Sequence, residues 1–170
     1  MIAFSVLFFV FILGVTIGGL LAAGKHPPSL FLYGLFTFAF LVVCFIGMIV
    51  GLLFPSFLIG FWFIEFIICV LTFLFIWAAC TRFHPSFGFF FVQEKIVLNL
   101  LFFLFFFMGF EWGIFDFRAF FTIFASLVFA IALFIGIFIQ WQLRQKFWQF
   151  PYAVYLPCVW LFIIAVIKIF

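Results

Sequence analysis

Charge is what this chain lacks most. Its 170 residues include seven Lys or Arg and four Asp or Glu. Ordinary soluble domains carry about 25% charged residues, and here the share is 6%. A water-facing surface cannot be covered with so few. Two histidines, one asparagine and no Cys-x-x-Cys spacing leave little from which to build a metal or haem centre. No phosphate-binding loop, dinucleotide fingerprint, nucleophile–base motif or basic nucleic-acid stripe is present. No cofactor and no nucleic acid is expected.

What fills the space is apolar. Hydrophobic residues make up 72% of the chain and the mean hydropathy is +1.63. A helix needs about 20 apolar residues to cross the hydrocarbon core. Six stretches qualify: 2–23, 29–53, 56–79, 93–112, 117–141 and 150–170. The sequence therefore predicts a single integral membrane domain, an all-α polytopic helix bundle of about six spans. Five follow if 117–141 is re-entrant or buried against protein. The breaks are chemical: "GKHPPS" (24–29), "FPSF" (54–57), "CTRFHPSFGFF" (80–90), "EWGIFDFR" (111–118) and the Trp- and Gln-rich "QWQLRQKFWQFP" (140–151), an interfacial composition. The start "MIAFSVLFFV" has no basic leader region, so no signal or transit peptide is expected.

Phenylalanine occurs 39 times. Its codons are thymine-rich, whereas those of the scarce asparagine are adenine-rich. A skewed coding strand, as in organelle genomes, explains the bias, and most Phe is expected to face lipid. The four cysteines sit mostly inside apolar runs, as buried free thiols do. Lys25, Arg82, Lys95, Arg144 and Lys146 fall on one side of the predicted bundle, and Arg118 and Lys168 on the other. The positive-inside rule then places the first set on the matrix or cytoplasmic side and both termini outside.

Glu65 is the one ionisable residue between His26 and Arg82 apart from cysteine and tyrosine side chains. A charge within a membrane helix costs about 2.5–3.5 kcal/mol or more. Glu65 is thus expected to face protein, where it is protonated and hydrogen-bonded. Cys69 and Thr72 follow at i+4 and i+7 on the same helix face. Asn99 in the next span is the expected hydrogen-bond partner, at a similar depth. Two roles stand with equal weight: a proton relay formed by Glu65, Asn99, Cys69 and Thr72, and a structural interhelical bond. Glu111, Asp116 and Arg118 read as an interfacial charge cluster, as does Glu94–Lys95. His26 and His84, each in a proline-containing loop, are poorly placed as ligands. Gly14-x-x-x-Gly18-x-x-x-Ala22 and Gly47-x-x-x-Gly51 are small-residue faces for close helix packing, at different depths and so with different neighbours.

The chain resembles subunit 6 of NADH:ubiquinone oxidoreductase. "KHPPSLFLYGL" (25–35) is similar to the turn that opens that family's second helix, "FPSFLIGFWFIEFIICVLTFLFIWAA" (54–79) occupies the place of its third, and "FPYAVYLPCVWLFIIAVIKIF" (150–170) resembles its last. A second resemblance is to subunit 3 of cytochrome c oxidase, through "IWA" (76–78), "FEW" (110–112) and "VWLF" (159–162). The first implies a non-catalytic, structural and proton-coupling subunit of a respiratory-chain complex in the mitochondrial inner membrane. Its partners would be other membrane subunits and lipids. A bacterial inner membrane and a lineage-specific scaffold subunit are the alternatives.

Overall fold

The computed structural model describes residues 2–24, 29–53, 61–81, 95–117, 119–146 and 155–169. They form six α-helices: α1 Ile2–Leu21, α2 Leu30–Leu53, α3 Phe61–Thr81, α4 Lys95–Ile114, α5 Ala119–Lys146 and α6 Leu156–Ile169. No strand occurs among the described residues. Helices are the expected outcome in lipid, where every backbone N–H and C=O must be satisfied within its own segment. Five are long and apolar enough to cross a membrane. The chain is a multi-pass helical membrane protein.

The ends of the helices are chemically marked. The Ser29 hydroxyl accepts a hydrogen bond from the Leu32 amide at 3.3 Å and so caps α2. Pro157, the second residue of α6, sits in the first turn, where a missing N–H costs nothing. At the end of α4 the Phe117 amide donates to Trp112 O at 3.0 Å and the Asp116 amide to Gly113 O at 3.1 Å. These are the two bonds of a Schellman motif, with Asp116 in the left-handed position at φ 57°.

Two spans differ from expectation. The segment predicted over 117–141 is the longest helix and continues to Lys146. Gln140, assigned above to a connection, is helical and buried. Within the segment predicted over 150–170, α6 covers Leu156–Ile169, and residues 150–154 lie outside the described residues. Fourteen residues rise about 21 Å, short of the ~30 Å hydrocarbon core.

The helices close into a ring in the order α1, α5, α2, α4, α3, α6 and back to α1, each packing principally on two others. Side-chain contacts give the directions. Gly14 lies against Phe129 and Ala132, and Gly18 against Leu133 and Ile137, so α1 and α5 are parallel. Gly47 lies against Phe106 and Phe110, and Gly51 against Phe110 and Gly113, so α2 and α4 are parallel. The α2–α5 pair is antiparallel, with Tyr33 Oη donating to Ala130 O (2.7 Å) and Thr122 Oγ1 meeting Met48 Sδ (3.1 Å). So are α3–α6 and α1–α6, through Cys69 Sγ to Ala165 O (3.6 Å), Phe73 against Phe162, and Thr16 Oγ1 to Pro157 O (3.3 Å). Following these directions round the ring makes α3 and α4 antiparallel. The near face is the side where α1 begins, and the far face the side where it ends.

At the centre, phenylalanine is core rather than filler. Phe40 of α2 stacks on Phe129 of α5 (centroids 4.1 Å, 5°) and meets Phe105 of α4 edge-on at 4.9 Å. Such pairs contribute about 0.5–1.5 kcal/mol beyond area burial. Others lie on the outside of the ring: Phe4, Phe31, Phe38, Phe66, Phe120 and Phe134 are exposed.

Candidate functional site

The site begins with Glu65, the fifth residue of α3. It is half-buried, on the side of the helix adjoining the exposed Phe66. Cys69 and Thr72, at i+4 and i+7, are buried. Cys69 donates to a carbonyl of α6, and Thr72 Oγ1 donates back to Ile68 O at 2.7 Å, which satisfies its hydroxyl within the helix. This stripe of α3 therefore passes from a half-buried carboxyl into the contact with α6.

Asn99 is placed differently from expectation. It is the fifth residue of α4, and its side chain is exposed. Because α3 and α4 are antiparallel, the fifth residue of each lies toward the opposite face of the membrane. Glu65 is nearer the near face and Asn99 nearer the far face, so they do not share a depth.

The carboxyl on α4 that lies toward Glu65's face is Glu111, in the last turn of α4. Its exposure is 2%, so it packs into the bundle rather than facing outward with the cluster assigned above. Asp116 is exposed, and Arg118 lies outside the described residues. The burial of Glu111 follows from its neighbours. Gly109 and Gly113 press on the backbone of α2. A residue two positions from each is turned by about 200°, to the other side of α4. The other ring neighbour of α4 is α3. Two carboxyls thus sit on adjacent helices toward one face. The signal for the second was in the sequence: Glu111 is the central residue of Gly109-x-x-x-Gly113.

The packing glycines sit where two backbones meet. A methyl on Gly14 would stand 2.7 Å from Ala132 Cβ, and one on Gly51 3.1 Å from the Cα of Gly113. Gly18 and Gly47 stand against carbonyl groups of α5 and α4. Ala22, just past α1, is buried. Its carbonyl and that of Ala23 accept from Arg144 Nη1 at 3.2 and 3.4 Å, and Gly24 O accepts from the same nitrogen. Since α5 runs parallel to α1 and past its end, Arg144 reaches back to cap α1.

Toward the far face a groove of about 160 Å³ lies between α2 and α4. Leu35, Phe36, Ala39, Leu98, Leu101 and Phe105 are among its lining residues. Its apolar walls match an acyl chain and offer nothing to a polar substrate. No group of three or more potential metal ligands occurs among the described residues. His26, His84 and Glu94 lie outside them.

No protein-family model matches the chain, and neither a curated protein nor a solved structure matches it.

Proposed function

We propose that the chain is a cofactor-free subunit of a proton-pumping respiratory-chain complex, in the manner of subunit 6 of NADH:ubiquinone oxidoreductase, in the mitochondrial inner membrane. The observation that carries this reading is the pair of carboxyls, Glu65 on α3 and Glu111 on α4, held toward one membrane face. Ionisable groups inside a membrane protein are costly and are retained where they move protons or bind a partner. The outer surface supports a subunit role. It carries large apolar side chains together with the exposed amide of Asn99, which neighbouring membrane subunits and lipids would cover.

The test is co-purification of the tagged chain from its native membrane in mild detergent. Recovery with the subunits of the NADH:ubiquinone oxidoreductase membrane arm is the expected result. Recovery with cytochrome c oxidase would transfer the chain to that complex, as an accessory subunit. Migration as a stable monomer on native gels would remove the subunit reading altogether.

A further inference from the structure

In the sequence Cys80 and Cys158 are unrelated thiols, yet the fold brings them together. Cys80 is the next-to-last residue of α3 and Cys158 the third of α6. The antiparallel packing that joins Phe73 to Phe162 places both at the far face. The two side chains lie close enough to interact. Both are free thiols, Cys80 exposed and Cys158 3% exposed. Tyr155 lies beside them: burial first, then the two thiols, hold its phenol above its ordinary range. The other cysteines are deep in the bundle, and each already donates to a carbonyl: Cys44 to Phe105 O at 3.2 Å and Cys69 to Ala165 O.

We infer that Cys80 and Cys158 are a reversible disulfide pair that clamps α6 to α3. The asymmetry of the two thiols sets the order of events. The accessible Cys80, as thiolate, attacks a low-molecular-weight disulfide of the glutathione type. A mixed disulfide forms on Cys80 and one glutathione thiolate leaves. Cys158 then gives up its proton and attacks the Cys80 sulfur, forming the protein disulfide and releasing the second glutathione thiolate. The two protein thiols are oxidised by two electrons, and one oxidised glutathione becomes two reduced glutathiones. The clamp acts on a specific element. The short α6 closes the ring between α1 and α3, and a covalent link in its first turn fixes that closure.

The test uses membranes carrying the full chain. They are treated with oxidised glutathione, free thiols are alkylated, and peptides are mapped by mass spectrometry. A Cys80–Cys158 linked peptide that dithiothreitol removes is expected, with proteolysis of the α6 end slowed several-fold. Cys158→Ser should trap the glutathione adduct on Cys80, and Cys80→Ser should leave neither adduct nor link. Dibromobimane, fluorescent on bridging two nearby thiols, should label the untreated chain and neither variant. Absence of that bridging would overturn the geometry. A glutathione adduct persisting on wild-type Cys80 without a link, or a Cys80–Cys80 link between chains, would overturn the clamp.

Discussion

Gly109 of α4 lies so close to Cys44 of α2 that a methyl on the glycine would stand 2.7 Å from the Cys44 Cα and nearer still to its carbonyl. The contact is backbone on backbone, so no side chain can swing away to make room. Gly109→Ala is expected to destabilise the bundle by about 1–3 kcal/mol through overpacking, more than the ~1 kcal/mol that alanine gains in helix propensity. Gly34 is the control. It lies in α2, and a methyl added there would meet nothing within 4 Å, so Gly34→Ala should be neutral or stabilising by up to ~1 kcal/mol. Thermal unfolding in detergent measures both. Equal effects would show that α2 and α4 approach each other less closely than these contacts require.

Arg144 ties the end of α5 to the carbonyls of Ala22, Ala23 and Gly24, in the turn that follows α1. Cationic groups at a helix C-terminus contribute about 0.3–1 kcal/mol, and charge-assisted hydrogen bonds somewhat more. Arg144→Gln is expected to lower stability by about 1–2 kcal/mol and to increase hydrogen exchange of the last turn of α1. Arg144→Lys should recover most of the loss, because all three carbonyls accept from the single nitrogen Nη1 and an ammonium also carries its three donors on one nitrogen. Unchanged exchange in Arg144→Gln would remove the cap.

Asp116 occupies the left-handed position of the turn after α4, with φ 57°. Glycine meets that conformation without a Cβ penalty. Asp116→Gly should therefore raise the unfolding temperature, corresponding to about 0.5–1 kcal/mol, while Asp116→Val should lower it. A fall with glycine would mean that the aspartate side chain itself holds the turn.

The existence of the helices was legible because each is an uninterrupted apolar run bounded by Pro, Gly or charge. Their partners were not. Gly14, Gly18, Gly47 and Gly51 announce faces of close approach, but a small-residue face does not say which helix fills it. The answer depends on direction. Alternate crossings are parallel, and here α1 finds α5 and α2 finds α4; among the described residues α3 and α4 are the consecutive helices that pack along each other, while α4 and α5 meet at ring contacts such as Phe105–Phe129 and Trp112–Phe121. Depth failed for a different reason. Glu65 and Asn99 fall within about a turn of each other on the predicted antiparallel spans, but the observed helix bounds move them apart. Glu111 seemed interfacial because Asp116 and Arg118 follow it, whereas the glycines on either side set the face it occupies.

The direction of α6 fixes a topology. It starts beside Thr16 and Gly19 near the end of α1 and runs antiparallel to α1, back toward the near face. A tag after Phe170 should therefore be protected or cleaved together with a tag before Met1 when sealed vesicles are treated with protease. Opposite accessibility of the two tags would mean that α6 does not return across the membrane.

The two carboxyls give the sharpest test of the proposed role. Gln keeps the hydrogen-bonding shape of Glu but cannot release a proton, and Leu keeps the bulk without either property. If Glu65 and Glu111 carry protons, Glu65→Gln and Glu111→Gln should assemble normally while proton pumping per electron falls severalfold, since no other carboxyl of the described helices is embedded toward that face. Glu111→Leu should do more harm to folding than Glu65→Leu, because Glu111 is 2% exposed and Glu65 only half-buried. An interaction lost from a buried site leaves its partner unsatisfied, at a cost of about 1–3 kcal/mol. Pumping and assembly are measured separately, the first as proton uptake by reconstituted complex and the second on native gels. Normal pumping in both Gln variants, with poor assembly in the Leu variants, would reassign the pair to a purely structural bond between α3 and α4 or their neighbours.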